Sequence, residues 1–421
     1  MNTNIYTLFL LLCTWPVFSQ EIEQIDQGTN YTQTVYYDLA SGEKTAVDYT
    51  QWDIAFSVAN RSVGVLINES VSGADDATAV SLYSIDTLDF AGADTTMISD
   101  TLFNSSVSWG QGAFNEAADT SDVFDFGWGL YSPSNHILTG NRVFIVKLRS
   151  GVYKKLLINE YSNSQYKFTY ADLDGENEVI DSVASSDYMG KTLAYYSLED
   201  QAALDVEPEE WDLQFTRYVT PLVAGPGIIL QYSVTGVLIN AGVEVAEAQG
   251  VDPETVSFDS YADSLSTDLE TIGYDWKSYD FNAGAYSVPE DLVYFVKTAN
   301  DSIWKIQFLD FDNTTGTSTF EKTFIEVLAN NALVPSFVKS TNLFPNPIRG
   351  GQLTLEFDSK RTIHNATVSI YNSVGQNLSN QVVQIRQGPN RITTEVNSGS
   401  GMHYLMVRMG ESVLTKPFVV K

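Results

Sequence analysis

Apolar and polar residues alternate with a period of two through much of this chain. Trp52, Ile54 and Phe56 alternate with Asp53, Ala55 and Ser57, and Trp211, Leu213 and Phe215 repeat the arrangement. A period of two sends successive side chains to opposite faces of a strand. Each triplet therefore predicts a strand with tryptophan, an aliphatic residue and phenylalanine on one apolar face. Trp52, Phe56, Trp211 and Phe215 are the expected core residues, and the aspartate beside each tryptophan should face away and anchor a turn. Val143 to Val146 and Val293 to Val296 are unbroken apolar runs, rich in β-branched and aromatic residues. Such runs predict strands buried on both faces. Ser150-Gly151 and Asn300-Asp301 supply the turns that reverse the chain after them. No stretch sustains a long 3.6-residue apolar period, and only Ser260 to Leu269 reads as a short helix. The fold class expected is all-β.

The pattern also repeats over a long interval. VYYDLASGEKTAVDYTQWDIAFS (Val35 to Ser57) returns as AYYSLEDQAALDVEPEEWDLQFT (Ala194 to Thr216), a shift of 159 residues without a gap. GVLIN occurs at Gly64–Asn68 and again at Gly236–Asn240. RVFIVKLRSGVYKKL (Arg142–Leu156) answers LVYFVKTANDSIWKI (Leu292–Ile306) at a shift of 150. Blocks recurring in one order define two copies of a module. The expected organisation is a leader at 1–19, a first module at 20–185 and a second at 190–330. A linker at 331–342 and a terminal domain at 343–421 follow. Tyr170–Glu178 and Ser182–Met189 read as the connection between modules. The last stretch alternates strands (QLTLEF, ATVSIYN, VVQI, RITTEV, HYLMVRM, KPFVVK) with Gly, Asn and Ser, which predicts a small β-sandwich.

Charge sharpens the last boundary. The chain carries a net charge of −30, but from Leu343 onward eight basic residues oppose four acidic ones, so that end is +4 and the remainder is −34. An acidic bulk repels phosphate backbones, which excludes nucleic acid as the expected partner. Tyr6 to Cys13 is an apolar run of signal-peptide length, followed by Val17-Phe18-Ser19 before Gln20, although no Lys or Arg precedes it. It is too short to span a bilayer, and no later segment qualifies. Cys13 is the only cysteine. Leu12 before it is not the small residue that lipoprotein processing needs, so the mature chain is expected to lack thiols and disulfides.

The tail resembles the C-terminal sorting domain of the type IX secretion system of Bacteroidetes. The resemblance rests on Phe344-Pro345-Asn346-Pro347, on Val368-Ser369-Ile370-Tyr371-Asn372 with Val374-Gly375-Gln376, on Gly401 and Tyr404, and on the closing Lys416-Pro417-Phe418-Val419-Val420-Lys421. Met402-His403 lengthens the family's usual Gly-x-Tyr step. The resemblance implies the type IX machinery as a partner, export across the outer membrane, tail cleavage, and surface attachment or release. The sorting signal falls on Pro345, Asn346, Pro347, Gly375, Gly401, Tyr404, Lys416 and Lys421.

The two modules resemble the HmuY-like family, β-rich exported proteins whose founding members bind haem. Glu210 to Tyr218, Val234 to Asn240, Ile272 to Lys277 and Trp304 to Phe311 carry the likeness in the second copy. The first copy keeps Trp52 to Ser57 and the Val143–Leu156 hairpin. The resemblance implies haem or another porphyrin as the ligand. Haem iron takes His, Met, Cys or Tyr donors, yet Ala194 to Asn330 contains no His, Met or Cys. His136, in a loop over Ser132–Asn141, with Met97 as its partner, is the candidate ligand pair. The second copy has only a shorter loop, Ser287–Asp291, in that place. His364 and His403 read as surface residues of the tail.

Other chemistry is poorly represented. Gly190-Lys191-Thr192 ends like a phosphate loop but lacks the first glycine, with Ser185 in its place. Asp172-Leu173-Asp174-Gly175-Glu176 lacks the distal glutamate of a calcium loop. No Gly-x-Ser-x-Gly or His-Glu-x-x-His motif occurs. The expected function is therefore that of a non-enzymatic, exported ligand-binding protein, for haem or another porphyrin. The alternative is a cofactor-free module that binds glycan or protein through exposed aromatics. A secreted hydrolase using paired carboxylates is the third reading.

Overall fold

The structure, a computed structural model, describes residues 20–59, 62–71, 79–85, 87–280, 282, 284–327, 335, 337–349, 351–372, 377–396, 399, 401–410 and 412–421. The leader with Cys13, and Gly375, lie outside the described residues. Strands make up nearly all of the regular structure, interrupted by short 3-10 turns. Ser260–Leu269 departs from the expected helix. Two 3-10 turns, Phe258–Ser260 and Ala262–Ser264, lie there, and only Phe258 within them is buried. One apolar anchor is too little to offset the cost of starting a helix.

The described residues form two compact units, one ending at Glu326 and the other starting at Val327. The first unit contains two bodies of one plan, and neither coincides with a sequence repeat. In the first body, Ile54–Ser57 pairs with Val65–Ile67 on one side and with Leu193–Ser197 on the other. A larger sheet runs in the order Val179–Ala184, Gln165–Asp172, Tyr153–Ser162, Val143–Lys147, Ser81–Ile85, Ile98–Leu102. Phe56, Phe144, Leu156, Phe168 and Tyr196 fill the core that the two sheets share. In the second body, Leu213–Gly225 pairs with Ile228–Ile239 and with Gln33–Tyr37. The other sheet runs Gln20–Asp26, Thr317–Val327, Ser302–Asp312, Leu292–Lys297, Glu244–Gln249. Its core gathers Val35, Tyr37, Phe215, Trp276, Tyr294, Phe308 and Phe320.

The leading strands of each repeat thus complete the body of the other. Residues 20–48 belong with 211–327, and residues 179–204 belong with 52–172. Parts of the segments expected as a connection, Tyr170–Asp172 and Ser182–Ala184, instead lie in an antiparallel hairpin of Gln165–Asp172 with Val179–Ala184. Asp174 and Glu176 sit at its turn, Tyr170 and Val183 pack inward, and Met189 beyond it is exposed.

The exchange is nearly symmetrical where the bodies meet. Tyr36 and Tyr195, equivalent at a shift of 159, bond to each other through their hydroxyls at 2.9 Å. Tyr36 packs edge-on against Trp211, and Tyr195 packs edge-on against Trp52, each with centroids 5.0 Å apart. The Leu198 N–H donates to Asp53 at 2.7 Å and the Leu39 N–H to Asp212 at 2.9 Å, so both aspartates anchor turns of the exchanged segments. The tryptophans depart from the expected core stripe. Phe56 and Phe215 are buried in the two body cores, whereas Trp52 and Trp211 share a separate cluster with Tyr36 and Tyr195. The physical reason is that each strand starts two residues later, at Ile54 and Leu213, which frees the indole to turn toward the other body. Trp211 is buried and Trp52 half-buried.

The repeated GVLIN glycines have a steric cause. A Cβ on Gly64 would lie 2.6 Å from the Gly110 carbonyl carbon, and one on Gly236 would strike the Gly273 carbonyl. Between the Trp-Asp block and GVLIN the repeats differ in length. The shift rises from 159 at Trp52/Trp211 to 172 at Gly64/Gly236, so the second repeat carries 13 extra residues there. They lengthen the Leu213–Gly225/Ile228–Ile239 hairpin into a projecting ribbon.

The second unit is a sandwich of a three-stranded and a four-stranded sheet. Its first strand, Val338–Phe344, pairs with Gly351–Ser359, so ordered pairing reaches back into the segment expected as linker. Leu355, Phe357, Val368, Ile370, Leu405, Val407 and Phe418 lie in its core. His403, expected at the surface, is buried, and its Nδ1 donates to the Gly401 carbonyl at 3.0 Å.

Candidate ligand-binding surface

Each body carries a small hairpin after a fully buried tryptophan. Trp128 precedes Gly129–Ser132/Ile137–Gly140, and Trp276 precedes Ser278–Asp280/Ala285–Ser287. A shift of 148 superposes their pairing: Tyr131 faces Leu138, and Tyr279 faces Tyr286. The His136 N–H donates to the Ser132 carbonyl at 2.9 Å, and the Gly284 N–H donates to the Asp280 carbonyl at 2.8 Å. The second repeat therefore does have a counterpart to the His136 loop, at 278–287 rather than Ser287–Asp291. His136 occupies the left-handed position, φ 59°, that Gly284 fills at φ 67°. Histidine is among the few non-glycine residues that adopt this conformation with any frequency.

His136 is exposed, and its Nδ1 bonds to the Tyr131 hydroxyl at 2.7 Å. Met97 ends the Thr95–Met97 turn and is 43% exposed. The structure does not bring the two together. Ile98 pairs with Ile85, and Ser84 with Phe144, which places Met97 near Val143, two strands away in the sheet. Along Tyr153–Ser162, Val143 pairs with Leu157 and Leu138 with Tyr161, so His136, two residues beyond Leu138, lies roughly 20 Å from Val143 at strand rise. One iron between two axial donors needs both within a few ångströms. These residues do not fit a His–Met haem site. Neither lines the open cleft of about 900 Å³ in which Arg142 is held at 2.9 and 2.7 Å by the Asp125 carboxylate.

A different constellation appears in the second body. Tyr279 and Tyr286 pack edge-on at 5.2 Å, and Tyr286 packs on Phe311 at 5.0 Å. Phe311 lies parallel to Tyr31 at 6.3 Å, and the Arg217 guanidinium stands over the Tyr31 ring at 5.5 Å. Tyr31 is held at φ 57°, an unfavourable conformation for an aromatic residue. Tyr286 is in electrostatic reach of Tyr232, Tyr279 and Arg217, while burial pushes the pKa of Tyr31 and of Tyr286 up. Beneath the group lies Lys277. Its ammonium donates to the Thr235 carbonyl at 2.6 Å and contacts the rings of Trp276 at 4.2 Å and Phe311 at 4.6 Å. Burial lowers its pKa to about 7. Tyr232 is 56% and Tyr279 is 41% exposed, so the group opens to solvent.

The sequence reading missed these residues. Tyr31, Arg217, Tyr232, Tyr279 and Tyr286 come from four separate segments, and only the chain exchange carries Tyr31 to the second body. The available signal was the tyrosine pair Tyr131/Tyr279 at a shift of 148. It was hidden because the alignment elsewhere runs at 150, 159 or 172.

In the tail the expected sorting residues converge in part. Asn346 accepts the Val419 N–H at 3.0 Å and donates to the Pro417 carbonyl at 3.3 Å. The Ile348 N–H reaches the Val419 carbonyl and the Lys421 N–H reaches the Ile348 carbonyl, both at 2.8 Å. The Pro345-Asn346-Pro347 turn is thereby tied to the last strand, which carries Lys416. Tyr404 pairs opposite Pro417, and Gly401, at φ 137°, opens that strand's partner.

The fold is that of a duplicated all-β protein with a basic tail whose Pro345-Asn346-Pro347 turn is tied to its last strand. The family model described as HmuY protein matches residues 30–175 and again 189–323, together more than half of the chain. The chain belongs to the HmuY family, in tandem form. The secretion system C-terminal sorting domain matches 342–421, so the protein is exported by type IX secretion to the cell surface or medium. The crystal structure of apo PinO from Porphyromonas gingivitis is similar at 10% identity over 73% of this chain and 98% of that one, with a TM-score of 0.21. Dimeric latent PorU from Porphyromonas gingivalis is similar at 12% identity over 92% of this chain and 34% of that one, with a TM-score of 0.17. No curated protein matches. No helix among the described residues is long and apolar enough to cross a membrane.

Proposed function

We propose that this exported HmuY-type protein is a non-enzymatic binder of a flat or ring-shaped ligand that carries acidic groups. Its first expected ligand is a porphyrin, held by stacking and charge rather than by iron coordination. The observation that carries this reading is the convergence of Tyr31, Tyr232, Tyr279 and Tyr286 around Arg217, above Lys277. Tyrosine faces suit flat rings, and their hydroxyls keep such a patch wettable. The Arg217 guanidinium over the Tyr31 ring supplies the attraction for carboxylates. The His136–Met97 separation supports the absence of a paired axial site.

The test is a titration of the purified chain with haem and, separately, with iron-free protoporphyrin. Both are expected to saturate and to quench tyrosine emission. Arg217→Ala and Tyr286→Ala should weaken binding about tenfold, and His136→Ala should leave it unchanged. Binding of haem alone, abolished by His136→Ala, would sink this reading in favour of iron ligation. A second reading, an acidic glycan at the same face, is favoured by the exposed tyrosines Tyr232 and Tyr279. It predicts flat porphyrin titrations and Tyr286-dependent signals on a sugar array.

A further inference from the structure

The ribbon of the second repeat is not needed by the fold, since the first repeat does without its 13 extra residues. It is also unlike the rest of the chain. From Tyr218 to Val243 no residue is charged, within a protein of net charge −30. Its outer part exposes Val223 at 80%, Ile229 at 66%, Ile228 at 54% and Leu230 at 53%. Apolar surface on this scale marks an interaction site.

The geometry selects the kind of partner. Leu222 pairs with Leu230, and Val223 with Ile229. Paired residues share a face and successive pairs alternate, so the ribbon is apolar on both faces. A groove on a protein, or edge pairing with a second copy, covers one face or one edge and leaves the other face wet. A lipid layer covers both. Tyr232 pairs with Thr220 at the ribbon's base, where an amphipathic ring suits the boundary between water and lipid. The reach from that pair to the Gly225–Gly227 turn is about 13 Å at strand rise. The two strands satisfy each other's inward backbone groups but not those on the outer edges, which limits the seating to a shallow one.

We propose that this ribbon is a membrane-surface anchor whose tip seats in the outer part of a lipid layer. It carries no basic residue, and the body behind it is strongly acidic. Binding is therefore driven by apolar burial and opposed by anionic lipid, the reverse of the usual basic surface anchor.

The experiment is vesicle co-sedimentation of the full chain with phosphatidylcholine, and with an equal mixture of phosphatidylcholine and phosphatidylglycerol at low salt. Partitioning onto the first is expected, with at least threefold less onto the second. The Val223→Asp/Ile229→Asp double variant should lose tenfold or more while keeping the wild-type thermal melt and its porphyrin titration, because both side chains are exposed. Failure of the wild type to bind phosphatidylcholine overturns the proposal, as does unchanged binding by the folded double variant. Concentration-dependent dimers that the double variant abolishes would assign the ribbon to a second copy and overturn it equally.

Discussion

Trp211 and Trp52 occupy equivalent positions and do unequal work. Trp211 is buried, donates its indole N–H to Glu207 at 2.9 Å, and is capped edge-on by Trp109. Trp52 is half-buried. Trp211→Ala should cost about 3–5 kcal/mol, and Trp52→Ala clearly less, as read from denaturant midpoints of the two variants. Equal losses would contradict the asymmetry. Glu69 gives a pH prediction. Burial pushes its carboxyl up to about 8, against the Asn104 and Val219 N–H groups that favour the charged form. A raised carboxyl pKa stabilises the folded state fully below the unfolded value near 4.5, and that stability is lost as pH rises through about 8. Stability should thus decline over that window. Glu69→Gln should remove part of the decline, so the variant gains on the wild type as pH rises; melts at pH 5, 7 and 9 check this.

At the scale of elements, the exchange of leading strands decides which fragments can fold. Residues 49–206 contain every strand of the first body, whereas residues 190–330 lack the three strands between Gln20 and Asp48 that complete the second. The first fragment should give a dispersed amide spectrum on its own. The second should not, until a peptide spanning 20–48 is added in trans. Independent folding of 190–330 would show that the strands return to their own repeat. The repeats, the two-residue period and the central runs at Val143–Lys147 and Leu292–Lys297 were all readable, because each is local. The exchange was not, since a strand's own pattern says which face is apolar and not which of two near-identical partners it will meet.

For the whole molecule, charge and export belong together. The acidic body and basic tail form separate units, and the tail closes on itself through Asn346 and the last strand. A chain ending at residue 330 should accumulate in the periplasm, while the full chain reaches the surface or medium shortened at both ends; fractionation with mass measurement decides it. Surface recovery of the truncated chain would remove the sorting role from the tail.

The sequence alone determined that this is a duplicated β-protein with an export tail, because periodicity, repetition and an ordered motif series are properties of a string. It also placed Phe56 and Phe215 in cores, and Asp53 and Asp212 at turns. Only the tertiary structure separated His136 from Met97, turned Trp52 and Trp211 toward the contact between the bodies, and carried Tyr31 beside Tyr286, Phe311 and Arg217. Those outcomes depend on which strands pair across more than a hundred residues, and that choice is made by packing between surfaces that exist only once the chain has closed.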